Sequence, residues 1–283
     1  MEQHNDIRSP VEIRQAQREA AEKIAAAKER GDLAAAQSVL KEFSEQMRAF
    51  REPLDVLGPN FLGVAAWKKI GVDVGEAPPL PKSLTLELLN SECPLHPGEK
   101  IKDTHILVLV PKTVNGEPYT ALKLDELCAQ RKGSGDKLIF DGATAWKSQS
   151  WARAPQAQSE WVLIPKSGPD PERMREKYGK KEGDKHHFLS KDIPAQQEVH
   201  NDHYKEYREV KAVELMTTVL LYDLTHKERL LNREYLRCEE PNAFGGRVCV
   251  GAFLACGLEV RGGNVAFARV AYDAAVGRAL ARK

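Results

Sequence analysis

The sequence predicts an α+β fold in which an N-terminal α-helical hairpin precedes a domain of mixed strands and helices. Three observations predict it. Residues 9–51 carry apolar side chains at helical spacing on both sides of Gly31. Two short apolar runs, residues 104–110 and 161–164, are each stopped by a proline, as buried strands are. A glycine-rich alternating run, residues 245–251, follows a long apolar helix late in the chain. Strand, helices and then glycine-rich strands, in that order, suit α+β packing.

Taken in order, Ser9, Pro10 and Glu12 form a capping box with proline at the first helical position. Ile13, Ala16, Ala20, Ile24 and Ala27 make one stripe, Gly31 stops the first helix and Asp32 caps the second. Leu33, Ala36, Val39, Leu40, Phe43, Met47 and Phe50 carry the apolar face onward. The pair is alanine-rich and thin, so it needs a partner surface: its own chain, a second copy through self-association, or a carrier onto which it docks. Residues 1–52 are assigned to the hairpin and 53–283 to the following domain. Glycine and proline punctuate residues 53–81 as a linker with a short helix at 65–70, and 84–89 is a further short helix. Asn115 and Gly116 signal a hairpin turn, and residues 120–130 have helical spacing. Trp146, Trp151 and Trp161 read as core, with a sugar-binding site as the alternative. Residues 167–185 read as a polar insertion whose acids interleave with its bases. Residues 194–206 and 208–231 read as helices, the second strongly amphipathic. Residues 237–242 read as a loop.

The chain has 283 residues, enough for one large domain or two, and 29% of them are charged, yet the net charge is +1. That balance gives no electrostatic case for a nucleic acid or a membrane as partner. Cys93, Cys128, Cys238, Cys249 and Cys256 form neither a CxxC pair nor an even framework, which points to free thiols in a reducing compartment. No apolar leader follows Met1 and no run reaches membrane-spanning length, so the expected location is cytoplasmic.

Between the alternating run that contains Arg247, Val248 and Gly251 and the closing Val276, Gly277 and Arg278, residues 252–275 fit no single template. The segment as a whole resembles the C-terminal end of a variable protein of a diversity-generating retroelement. Arg247, Val248, Gly251 and Phe253, then Val276, Gly277 and Arg278, carry the resemblance. Gly251, Ala252 and Phe253 stand where the family has Gly-Gly-Ser-Trp, and Gly277, Arg278 and Ala279 where it has Gly-Phe-Arg. Upstream, residues 161–165 and 235–238 match more loosely. The resemblance implies a C-type lectin-like domain of the kind shared with formylglycine-generating enzymes, with a variable ligand-binding region at about 247–283. It also implies a surface diversified at template adenines to bind varied ligands, expected to be proteins. A mutable Asn codon ending in a pyrimidine cannot become Lys, Gln, Glu, Met or Trp. Residues 252–275 contain none of these except Glu259, which therefore lies outside such a codon. The ligand face expected on this resemblance comprises Ala252, Leu254, Ala255, Cys256, Glu259, Arg261, Gly263, Asn264, Ala266, Phe267, Arg269, Tyr272 and Asp273. Phe253, Leu258 and Val260 alternate as an inward scaffold.

Other chemistry is sparse. His200 and His203, three apart on one helix face with Asp202 between them, are the best zinc candidates, but no HExxH or cysteine pair completes a ligand set. Cys249 and Cys256 compare poorly with a catalytic thiol pair, since Cys256 falls in the segment expected to vary. Gly245, Gly246, Gly262 and Gly263 are bare pairs without phosphate-loop form, and no GxSxG or kinase set is present. A ligand-binding protein without cofactor or catalysis is the expectation. An enzyme on the related fold, or a zinc hydrolase using His200 and His203, is the alternative. No clustered carboxylates announce a calcium site.

Overall fold

A computed structural model of the chain describes residues 10–130, 139–141, 146–179, 207–232, 234–242, 246–254, 257–263, 272–274 and 276–279. The hairpin forms as its stripes require. Helix α1 (Pro10–Glu29) and helix α2 (Leu33–Leu57) are antiparallel neighbours, with Ala20, Ala27 and Ala36 buried between them. Gly31 makes the turn at φ 72°, and Asp32 caps α2 by accepting from the Ala35 amide at 2.9 Å. The linker expected from residue 53 is corrected at its start: α2 runs through Pro53 to Leu57. A proline inside a helix forfeits a backbone bond, at a cost of about 3 kcal/mol. The helix continues because its last turn packs Leu54 against the core and buries Leu57 within it, over α4 (Leu86–Asn90) and α5 (Ile101–Thr104).

Two five-stranded sheets follow, built from β1 (Phe61–Leu62), β2 (His105–Val110), β5 (Ile139–Asp141), β6 (Glu160–Pro165), β7 (Tyr207–Glu209), β8 (Tyr235–Pro241), β9 (Arg247–Leu254), β10 (Gly257–Gly263), β11 (Tyr272–Ala274) and β12 (Val276–Ala279). The first has the order β1-β2-β6-β12-β7 and the second β11-β8-β9-β10-β5. Both proline-stopped runs are central strands of the first sheet, paired antiparallel with Leu107 opposite Leu163. Between β2 and β6, the short hairpin of β3 (Thr113–Val114) and β4 (Glu117–Pro118) turns on Asn115 and Gly116 at φ 51° and 81°, as the Asn-Gly signal requires. The remaining helices are α3 (Val64–Lys69), α6 (Ala121–Ala129), α7 (Ser150–Arg153), α8 (Pro171–Tyr178) and α9 (Ala212–His226).

Helix α9 is the axis of the core. It is buried on nearly every side because it packs on β1, β2 and β6 of the first sheet and on β8 and β9 of the second. The strongly amphipathic helix expected over 208–231 is therefore corrected to a shorter helix without a solvated stripe, preceded by strand β7. Its buried polar groups are satisfied. Thr217, Thr218 and Thr225 donate to carbonyls four residues back, and Tyr119 donates to Thr217 at 2.6 Å. Glu214, wholly buried, accepts two bonds from Arg208 at 2.7 and 2.8 Å and one from the Lys211 amide at 2.9 Å. The tryptophans are structural: Trp67 donates to the Leu109 carbonyl, Trp161 donates to that of Pro78, and Trp146 stacks on Trp151. The polar insertion contains α8, capped by Asp170 and tied to the body by Lys177 with Glu92 at 2.7 Å. The expected loop at 237–242 is mostly strand β8.

Candidate functional site

The two ends of the candidate variable segment sit in different sheets. Strands β9 and β10 lie centrally in the second sheet, and β12 is inserted between β6 and β7 of the first. Fixed strands thus hold both ends of the segment, with Arg278 opposite Leu163 and Tyr207.

On the second sheet, alternation divides the side chains cleanly. Leu236, Cys238, Val248, Val250, Leu258 and Val260 enter the main core, joined by Phe253 after a bulge. The intervening positions form three registered rows on the opposite face. Tyr235, Gly251 and Glu259 are in one row, and Arg237, Cys249 and Arg261 in the next. Pro241, Arg247 and Gly263 make the third. Gly251 is where the strands close in: a Cβ there would collide with the Glu234 carbonyl oxygen and lie 2.7 Å from the Tyr235 Cα. With no side chain between them, the Tyr235 hydroxyl donates across the row to the Glu259 carboxylate. The Arg261 guanidinium lies 3.9 Å from the centre of the Tyr235 ring and 3.7 Å from Glu259. Arg247 faces Glu209 of the first sheet at 3.5 Å.

Of the residues expected on the ligand face, Leu254 is 50% exposed, while Glu259 and Arg261 are half-buried on the registered face. Ala252 is corrected: it is buried beside Tyr235 and Cys249, and its φ of 42° lies in the left-handed region, so a larger or β-branched side chain would be both crowded and strained. Gly263 lies in β10, and Tyr272 and Asp273 lie in β11, in register with Tyr235 and Leu236. Ala255, Cys256, Asn264, Ala266, Phe267 and Arg269 lie outside the described residues. Phe253, Leu258 and Val260 are core, as their alternation predicts. Sequence reading missed Tyr235 as the ring that organises this face. The signal was present: Tyr235 and Arg237 alternate with Leu236 and Cys238 at strand period.

The other candidates gain nothing. His200 and His203 lie outside the described residues, and no cluster of three metal-ligating side chains occurs among the described ones. Cys93, Cys128, Cys238 and Cys249 are buried, and burial pushes the Cys93 and Cys238 thiols up, away from reactive thiolate. Among the described residues no helix is long and apolar enough to cross a membrane. Compared with family models, with curated proteins and with solved structures, the chain matches none.

Proposed function

We propose that the chain is a ligand-binding protein, the variable protein of a diversity-generating retroelement, on a C-type lectin-like domain. Its ligand face is built on the outer side of β8, β9 and β10. The observation that carries the reading is the strict separation of the two faces of that sheet. One face is sealed apolar core, while the other carries the half-buried Glu259 and Arg261 over the buried Tyr235 and Cys249, with Leu254 exposed at the end of β9. A frame of this kind keeps its fold while outer side chains change, since substitutions away from packed positions alter stability by about 0.5 kcal/mol or less. Glu259 belongs to the fixed part, held by Tyr235. Leu254 is the exposed position for variation, whereas Arg261 is half-buried, stacked on Tyr235 and paired with Glu259, so its replacement gives up those contacts. An aromatic-stacked arginine is the kind of side chain that anchors a protein ligand.

Sequencing the flanks of the gene tests this. The expected result is a near-copy of the 3′ coding end, differing at adenines, beside a reverse transcriptase gene. Among diversified copies, residue 254 changes while 251, 252, 258 and 260 do not. Absence of both the repeat and the reverse transcriptase, or variation centred on the core positions, removes the reading.

A further inference from the structure

Only three large apolar side chains are conspicuously exposed among the described residues, and two of them, Leu33 at 68% and Leu40 at 55%, lie on α2. They are seven residues apart. The same spacing reaches Met47, half-buried, and then Leu54, packed against the core. A second series, Ala36, Phe43, Phe50 and Leu57, falls three residues behind each member of the first. Two interleaved series at this spacing are the pattern of a helix that packs on another helix along its length. Helix α1 meets only part of that need: among its described side chains Ala20 and Ala27 are buried, with Ile13 and Ile24 half-buried. The leucine stripe flanks this thin seam and is left in water.

We infer that this stripe is the interface for a second copy of the chain, joined antiparallel about a two-fold axis at Leu40. With that centre, Leu40 meets Leu40 and Leu33 of one copy meets Met47 of the other. The charges also agree. Arg48 of one copy falls opposite Asp32 of the other, Lys41 falls opposite Val39 and Glu45 opposite Ala35, so no like charges face each other. Gln37, Ser44 and Gln46 beside the stripe are uncharged and its charged neighbours Lys41, Glu45 and Arg48 are of both signs, whereas a groove for a charged foreign helix would carry one sign. The overall net charge of +1 adds no repulsion between copies. The surface suits a weak, concentration-dependent pair. With that centre the two copies of α2 overlap over residues 33–47, about 22 Å, and two helices side by side are about 20 Å wide, so two hairpins face to face cover roughly 900 Å². The contact is isologous and closes on itself.

Sedimentation of the full chain over a range of concentrations tests the pairing. The expected species has twice the 31.6 kDa of one chain. Leu33→Glu with Leu40→Glu is expected to give a monomer with unchanged circular dichroism and a thermal midpoint that no longer depends on concentration, since both side chains are exposed in the single chain. Crosslinking reads the orientation. Under oxidation Leu40→Cys is expected to link two copies and Leu33→Cys is not, while Leu33→Cys combined with Met47→Cys restores the link. A wild-type monomer at every concentration, or a dimer that survives both glutamates, overturns the inference. Linking by Leu33→Cys alone would show a parallel pair and overturn the two-fold arrangement.

Discussion

Gly251 sits where three strands crowd, and what it lacks matters as much as what its neighbours carry. Its missing side chain lets β8 approach β9 and lets Tyr235 reach Glu259. Gly251→Ala is expected to destabilise the fold by about 1–3 kcal/mol, because the colliding atoms belong to backbone and cannot swing away. Chemical denaturation would measure it, and a loss well under 1 kcal/mol would mean the strands can part cheaply. Glu240 is a second residue with a definite consequence. Burial, with Glu239 and Glu214 nearby, raises its carboxyl from the ordinary 4.5 to about 7, although it accepts a bond from the Ala212 amide at the start of α9. The folded chain therefore keeps a proton that the unfolded chain releases above about pH 4.5. Stability contributed by the protonated form is lost as pH rises from there through about 7. Glu240→Gln keeps the acceptor and removes the charge. It is expected to leave the urea midpoint little changed at pH 5 and to raise stability at pH 8 by about 3 kcal/mol. Equal effects at both pH values would assign Glu240 no titrating role.

At the scale of elements, α9 explains why the two sheets stay together. Leu220, Met216 and Leu215 are sealed on a helix clasped from both sides. Leu220→Ala is expected to cost about 2–5 kcal/mol, measurable as a drop in denaturation midpoint, because a site enclosed by two sheets cannot collapse around the void. Helix α2 also serves two masters. Its first half carries the unpartnered leucines and its last turn belongs to the core. A chain that begins at residue 53 is expected to unfold at lower denaturant than the full chain, since Leu54 and Leu57 lose the turns that nucleate their helix. A chain that begins at residue 32 keeps α2 whole and is expected to lose less.

For the whole molecule, the candidate variable segment starts in one sheet and ends in the other, so its fixed ends are braced by the common core and not by a single hairpin. Exposure along its described part is uneven. Leu254 stands out into solvent, Arg261 rests on an aromatic ring and Ala252 is enclosed. A binding face on this frame therefore has few variable positions within its strands.

Local sequence by itself determined the helical hairpin, the two proline-stopped strands, the Asn-Gly turn, the buried character of the tryptophans and the inward set Phe253, Leu258 and Val260. Each follows from a period, a cap or a breaker within a few residues, where backbone sterics and amphipathicity act alone. Tertiary structure decided the rest. Only the pairing of β8 with β9 shows that residues 237–242 are mostly strand, and only the second sheet turns an apparently amphipathic α9 into a helix buried all round. Only the core beneath its last turn carries α2 through Pro53. The meeting of Tyr235, Gly251 and Glu259 depends on register between strands, and register is fixed by which faces find a common core, which no short window of the chain contains.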